Sequence, residues 1–147
     1  MYDLTLIPIH TRQGQPRQQI AGFKAAAPSR RPVRSRSDDL LILSLITQGE
    51  STISPDVQTA WLDRLSQVFF KTSGSVTSAL RSLIETLNLT LMEKNLKLAK
   101  EGGWMTGAIN LVAVHRRSLY IAQSGLTHAF ALTHEGLRHF HDPGRAD

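Results

Sequence analysis

Gly107-Ala108-Ile109-Asn110-Leu111-Val112-Ala113-Val114, then His115-Arg116-Arg117, then Ser118-Leu119-Tyr120-Ile121-Ala122-Gln123-Ser124-Gly125, then after Leu126-Thr127 the run His128-Ala129-Phe130-Ala131-Leu132: this stretch decides the fold. Each run is short, rich in β-branched and aromatic residues, and bounded by polar residues or glycine, the pattern of consecutive strands. Breaks this short join only antiparallel neighbours, because a parallel pair needs a crossover of about a dozen residues or more. The first run is apolar on both faces, with Ile109, Leu111 and Ala113 alternating with Ala108, Val112 and Val114, and only Asn110 polar. A strand of that kind needs cover on both sides. The expectation is a buried antiparallel meander over residues 107–132.

Working outward, the two runs before the meander read as helices. Ser54-Pro55-Asp56 combines a capping hydroxyl, a proline at the first helical position and an acid in the first turn. Val57, Trp61, Leu65, Val68 and Phe69 follow at helical spacing, and Lys71-Thr72-Ser73-Gly74 closes the helix. A longer helix starts near Ser75, with Val76, Leu80, Leu83, Ile84, Leu87 and Leu91 on one stripe, and stops at Gly102-Gly103. The short link makes them an antiparallel hairpin whose shared stripe lies on the meander. Before them, Leu40-Leu41-Ile42-Leu43-Ser44-Leu45-Ile46 suits a buried strand ending in Thr47-Gln48-Gly49. After the meander, Leu137 to Phe140 reads as one further short strand. The fold class predicted is α+β: an antiparallel β-sheet covered on one face by a two-helix antiparallel hairpin.

The chain has 147 residues, enough for one domain with a core, and a net charge of +5 that sits in one place. Of its 17 basic residues seven (Arg12, Arg17, Lys24, Arg30, Arg31, Arg34, Arg36) lie between positions 12 and 36, where no acid occurs; the other ten face all 12 acids elsewhere. Residues 11–37 hold few large apolar side chains beyond Ile20, Phe23 and Val33, which predicts a mobile linker or long surface loop. Arg12, Arg17, Arg30, Arg31, Arg34 and Arg36 are candidate anion-binding residues, since phosphate or nucleic acid needs only the charges. A solvated loop is the ordinary reading, and the lack of aromatic residues other than Phe23 argues against single-strand binding, so nucleic acid is not the expected partner. Residues 2–9 read as an edge strand with Tyr2, Leu4 and Leu6 on alternate positions and Pro8 near its end. Cysteine is absent, which excludes disulfides and thiolate metal sites. The first ten residues lack the features of a secretory signal, and no run approaches the roughly 20 apolar residues of a membrane span. A cytoplasmic protein without membrane attachment is expected.

Leu119-Tyr120-Ile121-Ala122-Gln123-Ser124-Gly125-Leu126-Thr127-His128-Ala129 resembles a strand of the PPM-type, metal-dependent serine/threonine phosphatases, of the form Leu-Tyr-Val-Ala-Asn-Val-Gly-Asp-Ser-Arg-Ala. Gly107-Ala108-Ile109 falls on an earlier turn of that family, and the resemblance covers roughly residues 38–140. It implies the first half, or a little more, of a sandwich of two antiparallel sheets with a helix pair on each outer face. It divides the chain into residues 1–37, an N-terminal strand and basic flexible linker, and residues 38–147, a partial PPM-like domain. It also implies a two-metal centre, and here the chain departs from the family. Where the family carries a metal-ligand aspartate and glycine, this chain has Thr47, Gln48 and Gly49; where it carries Gly-Asp, this chain has Gly125 and Leu126, with His128 for the arginine. The family's downstream aspartates are expected beyond Asp147. Clustered carboxylates are what hold two hard cations a few ångströms apart around a water. The resemblance therefore implies a catalytically silent, pseudophosphatase-like domain acting as a binding or scaffold module, with a protein partner of unknown identity or a second copy of itself. The alternatives are an incomplete portion of an active phosphatase and a nucleic-acid or anionic-surface binder acting through residues 12–36. No cofactor is expected, and Mn²⁺ or Mg²⁺ enters only if the active-phosphatase reading holds.

Other candidate sites carry less. His128, His134, His139 and His141 cluster near Glu135 and Asp142; His139 and His141 share a strand face and with either acid form a candidate transition-metal site, although no recognised ligand spacing accompanies them. Asp38 and Asp39 are adjacent and point to opposite sides of a strand, so they read as a soluble loop terminus. Ser124-Gly125 lacks the nucleophile-elbow pattern and reads as a turn or bulge. Trp61 and Trp104 are expected in the core or at its rim.

Overall fold

In the computed structural model, which describes residues 4–12, 14–16, 20–28, 31–51 and 53–141, strands β1 (Thr11–Arg12), β2 (Gln15–Pro16), β3 (Phe23–Ala26) and β4 (Leu40–Gly49) are followed by helices α1 (Pro55–Lys71) and α2 (Val76–Leu98) and by strands β5 (Met105–His115), β6 (Ser118–Ser124), β7 (Ala129–Thr133) and β8 (Gly136–Phe140). β3, β4, β5 and β6 form one antiparallel sheet in that order. Its spine is the β4–β5 ladder, which runs without a break from the Leu40–Val114 pair to the Gly49–Met105 pair. Facing residues share a side, so Leu41, Leu43 and Leu45 lie beside Ala113, Leu111 and Ile109, and all six are buried under the helices.

Both helices begin as the sequence predicts. The Ser54 hydroxyl accepts the Val57 N–H at 3.3 Å and the Ser75 hydroxyl accepts the Ser78 N–H at 3.1 Å. α2 buries Val76, Ala79, Leu80, Leu83 and Leu87. α1 is turned from the expected stripe: Leu62, Leu65, Phe69 and Phe70 are its buried apolar residues, Trp61 and Val68 pack at the margin, and Val57 is exposed. Gln58 accounts for the rotation. Beyond Ser44, β4 has no β3 partner, and the Gln58 side chain is buried so that its Nε2 donates to the Leu45 carbonyl at 2.9 Å. The Leu45 N–H in turn donates to the Gly22 carbonyl at 2.7 Å. A Cβ on Gly22 would lie 2.1 Å from the Leu45 carbonyl oxygen, and φ there is +79°, so only glycine fits.

Three expectations are corrected. Residues 4–10 form no strand, and Leu4, Leu6, Ile7 and Ile9 are exposed, because the β4 edge is taken by β3; Tyr2 lies outside the described residues. The stretch 11–37 is not simply a linker. It contributes β3 to the sheet, with Ala26 buried, and a 3₁₀ turn, Arg34–Arg36, with Arg36 buried. Composition missed this because edge-strand addition is carried by backbone hydrogen bonds and small side chains. An ion pair from Lys24 to Asp63 of α1 and a bond from the Val33 N–H to the Phe70 carbonyl fix the segment further.

The third correction concerns the meander. β5 and β6 join through a two-residue turn with Arg116 at φ +54°, as a hairpin should, but β7 does not extend their sheet. It pairs with β8 in a separate ladder. The chain leaves the sheet at Gly125 (φ +83°), where an added Cβ would meet Ala108 Cα and Cβ at 2.9 Å. Ala108 belongs to the face of β5 turned away from the helices, so the chain crosses that face. Asn110, the one polar residue of the strand core, serves the crossing: its Oδ1 accepts from Gln123 at 2.9 Å and its Nδ2 donates to the His128 carbonyl at 3.4 Å. The β7–β8 hairpin then stands beside Leu119 and Ile121 across a crevice lined also by Ala131, Thr133 and Phe140. The rest of this outer face is apolar, with Leu40, Ile42, Val112 and Val114 half-covered and Ile46 and Leu119 exposed.

Candidate functional site

The ends of β4 and β6 and the start of β5 enclose a cleft of about 210 Å³ lined by Ile46, Gln48, Thr106, Gly107, Ala108, Ser124, Gly125 and Leu126. Of the six positions singled out in the sequence, Gln48, Gly107, Gly125 and Leu126 line it together, although Gln48 and Leu126 are 78 positions apart in the chain numbering. The ladder accounts for this convergence. Gln48 pairs with Thr106, Ile46 with Ala108, and Ser124 with Ile109, so the crossing at Gly125 brings Leu126 over the same strand ends. Thr47 faces the opposite side of β4 beside Gly107, and Gly49 pairs with Met105; neither lines the cleft. Gly107 is needed sterically as well: a Cβ there would lie 2.9 Å from Leu91 Cδ1 of α2.

The side-chain donors and acceptors of the cleft are the Gln48 amide and the Thr106 and Ser124 hydroxyls, all neutral. Amide and hydroxyl oxygens alone do not supply the charge that a pair of Mg²⁺ or Mn²⁺ ions demands, so this set does not fit a two-metal centre. It can donate and accept hydrogen bonds at the bottom of an apolar rim formed by Ile46 and Leu126, both exposed. Its side chains offer neutral hydrogen-bonding groups beside apolar ones.

The basic segment divides. The Arg12 backbone lies in β1, Arg31 and Arg34 are exposed, and Arg17 and Arg30 lie outside the described residues. Arg36 is corrected: it is 1 % exposed and cannot reach an external anion. Its Nη2 donates to the Gly74 and Ser75 carbonyls at 3.0 and 2.7 Å, its Nη1 to Asp39 at 3.4 Å, and its guanidinium lies 5.1 Å from the centre of the Phe69 ring. Asp39 is buried too, and its other oxygen meets His115 Nδ1 at 2.6 Å. Asp38 is exposed, as a loop acid should be, but Asp39 is not. The buried Arg36–Asp39 ion pair, extended by the half-buried His115, was missed in the sequence; the i, i+3 spacing of Arg36 and Asp39 before an apolar strand was the available signal.

The histidines separate into two groups. His128, His139 and His141 gather at one end of the β7–β8 hairpin, with ring centres 5.1 Å apart for His128–His139 and 4.7 Å for His139–His141. His134 is at the other end beside Glu135, whose carboxylate pairs with Arg138 at 2.6 Å, and Asp142 lies outside the described residues. Glu135, paired with Arg138, does not join His139 and His141 in the way the sequence proposed. His139 titrates below its ordinary value, first because the packed neighbours cost the charged ring hydration, then through repulsion by His141 and His128. Trp61 packs at the core margin and Trp104 sits half-exposed at the rim. Among the described residues no helix is long and apolar enough to cross a membrane. Comparison with protein-family models, with curated proteins and with solved structures finds no match to this chain.

Proposed function

We propose that this chain is a catalytically silent domain of the PPM-phosphatase type that works by binding, as a scaffold or recognition module. The observation carrying this reading is the cleft at the strand ends: of the motif positions that lack the family's acids, Gln48 and Leu126 line one cavity, as an amide and an alkyl group, whereas Thr47 and Gly49 lie outside it. The α+β arrangement, a helix pair on one face of an antiparallel sheet, supports it. So does the apolar character of the outer face, which suits a protein partner or a second copy better than an anion. Arg36, spent inside the core, weakens the anion-binding alternative.

The test is a phosphatase assay on the full chain with a phosphoserine peptide in Mn²⁺ or Mg²⁺. The expected result is no release of phosphate above the protein-free blank. Turnover that appears with metal and disappears with a chelator overturns the proposal.

A further inference from the structure

We propose that His128, His139 and His141 form a surface site for a transition-metal ion of the Zn²⁺, Ni²⁺ or Cu²⁺ kind, built on one face of the β7–β8 hairpin and separate from the cleft. The ladder sets the geometry. Phe130 pairs with His139 and Ala129 with Phe140; continuing that register by one residue sets His128 across from His141. Side chains alternate along a strand, so His128 and Phe130 on one strand and His139 and His141 on the other share a face. The ring contacts agree: Phe130 stacks on His139 with centres 4.3 Å apart, and His128 and His141 flank that pair. Two imidazoles at i and i+2 with a third across the ladder present three nitrogens from one side, which leaves the far side of an ion open.

One pair of nitrogens is close to the needed spacing. His128 Nδ1 and His139 Nε2 are 2.9 Å apart. Two imidazole nitrogens on a tetrahedral zinc, with Zn–N of about 2.0–2.1 Å, stand roughly 3.3 Å apart. The three rings are stacked at present, and no group of three or more His, Cys, Asp or Glu among the described residues stands ready around a common point. All three are exposed, so a turn toward an arriving ion gives up their mutual stacking and the His128–His139 hydrogen bond but leaves the buried core untouched. Neutral imidazole is the ligating form. Imidazole selects zinc, nickel and copper over magnesium and manganese. The site is thus chemically distinct from the metal centre of the resembling phosphatases.

The experiment uses the untagged full chain, freed of metal by chelator, titrated with Zn²⁺ calorimetrically and with Co²⁺ by its visible absorption. One equivalent is expected to bind, with Co²⁺ bands of a nitrogen-ligated ion, and excess Mg²⁺ is expected to leave the isotherm unchanged. His128→Ala, His139→Ala and His141→Ala should each weaken Zn²⁺ affinity tenfold or more, whereas His134→Ala should leave it unchanged. The variants alter exposed side chains, and far-ultraviolet circular dichroism checks that each remains folded. Absence of binding, or affinity that survives His139→Ala, overturns the site and leaves the rings a stacked and hydrogen-bonded set only. Equal loss on His134→Ala overturns it as well, because binding would then be diffuse.

Discussion

A single buried carboxylate shows how this chain joins its layers. Asp39 sits where the sheet begins and touches Arg36 on one side and His115, at the far end of β5, on the other. Arg36 carries the connection to the helix link through the Gly74 and Ser75 carbonyls. Removing one member strands a buried charge, which costs about 3–5 kcal/mol, while removing both ionic partners in favour of apolar ones is far cheaper. Asp39→Ala is therefore expected to lower unfolding free energy by about 3–5 kcal/mol, and Arg36→Met combined with Asp39→Leu to lower it by less than Asp39→Ala alone. Urea unfolding of the single and double variants measures the difference, and strictly additive losses would contradict the account. At the same scale, His139 gives the pH dependence its sign. Its folded value lies below the ordinary 6.5, so the unfolded chain takes up a proton more readily than the folded one. Above 6.5 the group contributes nothing; stability falls as pH drops through 6.5, and the loss is complete below the folded value. An NMR titration should place the His139 midpoint under 6.5 and move it upward in His141→Ala.

At the scale of elements, the crossing between β6 and β7 is the least predictable piece and the easiest to perturb. Asn110 holds it through Gln123 and the His128 carbonyl, and Gly125 makes room for it. Asn110→Leu keeps the volume and removes the bonds, with an expected loss of about 1–2 kcal/mol. The loss should be local: hydrogen exchange is expected to quicken through β7 and β8 while β4 and β5 keep their protection. Uniform quickening of all four strands would place Asn110 in the global core instead. This contrast explains what the sequence made legible. Strands 40–49 and 105–115 and both helices could be read because burial is periodic and capping chemistry is local, as Ser54, Pro55 and Ser75 demonstrate. The rotation of α1 was hidden because it answers a partnerless carbonyl, Leu45, supplied by another element. β3 was hidden because its Lys24-Ala25-Ala26 run has no hydrophobic signature, and its stability comes from the β4 edge. The departure of β7 was hidden because Gly125 reads equally as a hairpin turn or an exit. For the candidate site, the motif positions were visible in the sequence, yet their meeting around one cleft depends on the β4–β5 register and on that exit.

Among the described residues the sheet and its helix pair make two layers, and the outer face of the sheet is only half-covered. Antiparallel sheets with one wet face normally alternate apolar and polar residues. Here the outer face places Leu40, Ile42, Val112, Val114, Leu119 and Ile121 together, and the β7–β8 hairpin beside it exposes Phe130, Leu132 and Leu137. β6 ends the sheet and offers an edge, Ser118 to Ser124, without one charged side chain to discourage pairing. Scattered apolar residues on a surface need no explanation, whereas a contiguous set on a face and a bare edge beside it predict association. Under the binding-module reading this is where a partner protein or a second copy sits. Light scattering over a range of concentrations is therefore expected to give a weight-average mass that rises above that of one chain. Leu119 is 55 % exposed and Leu132 is 80 % exposed, so lysine at either position costs little in folding. Leu119→Lys and Leu132→Lys together should return the mass to that of a single chain while leaving the unfolding midpoint of the dilute protein where it was. A wild-type mass equal to one chain at every concentration would show that half-covering by the hairpin suffices, and the partner surface would then have to be sought at the cleft around Gln48 and Leu126.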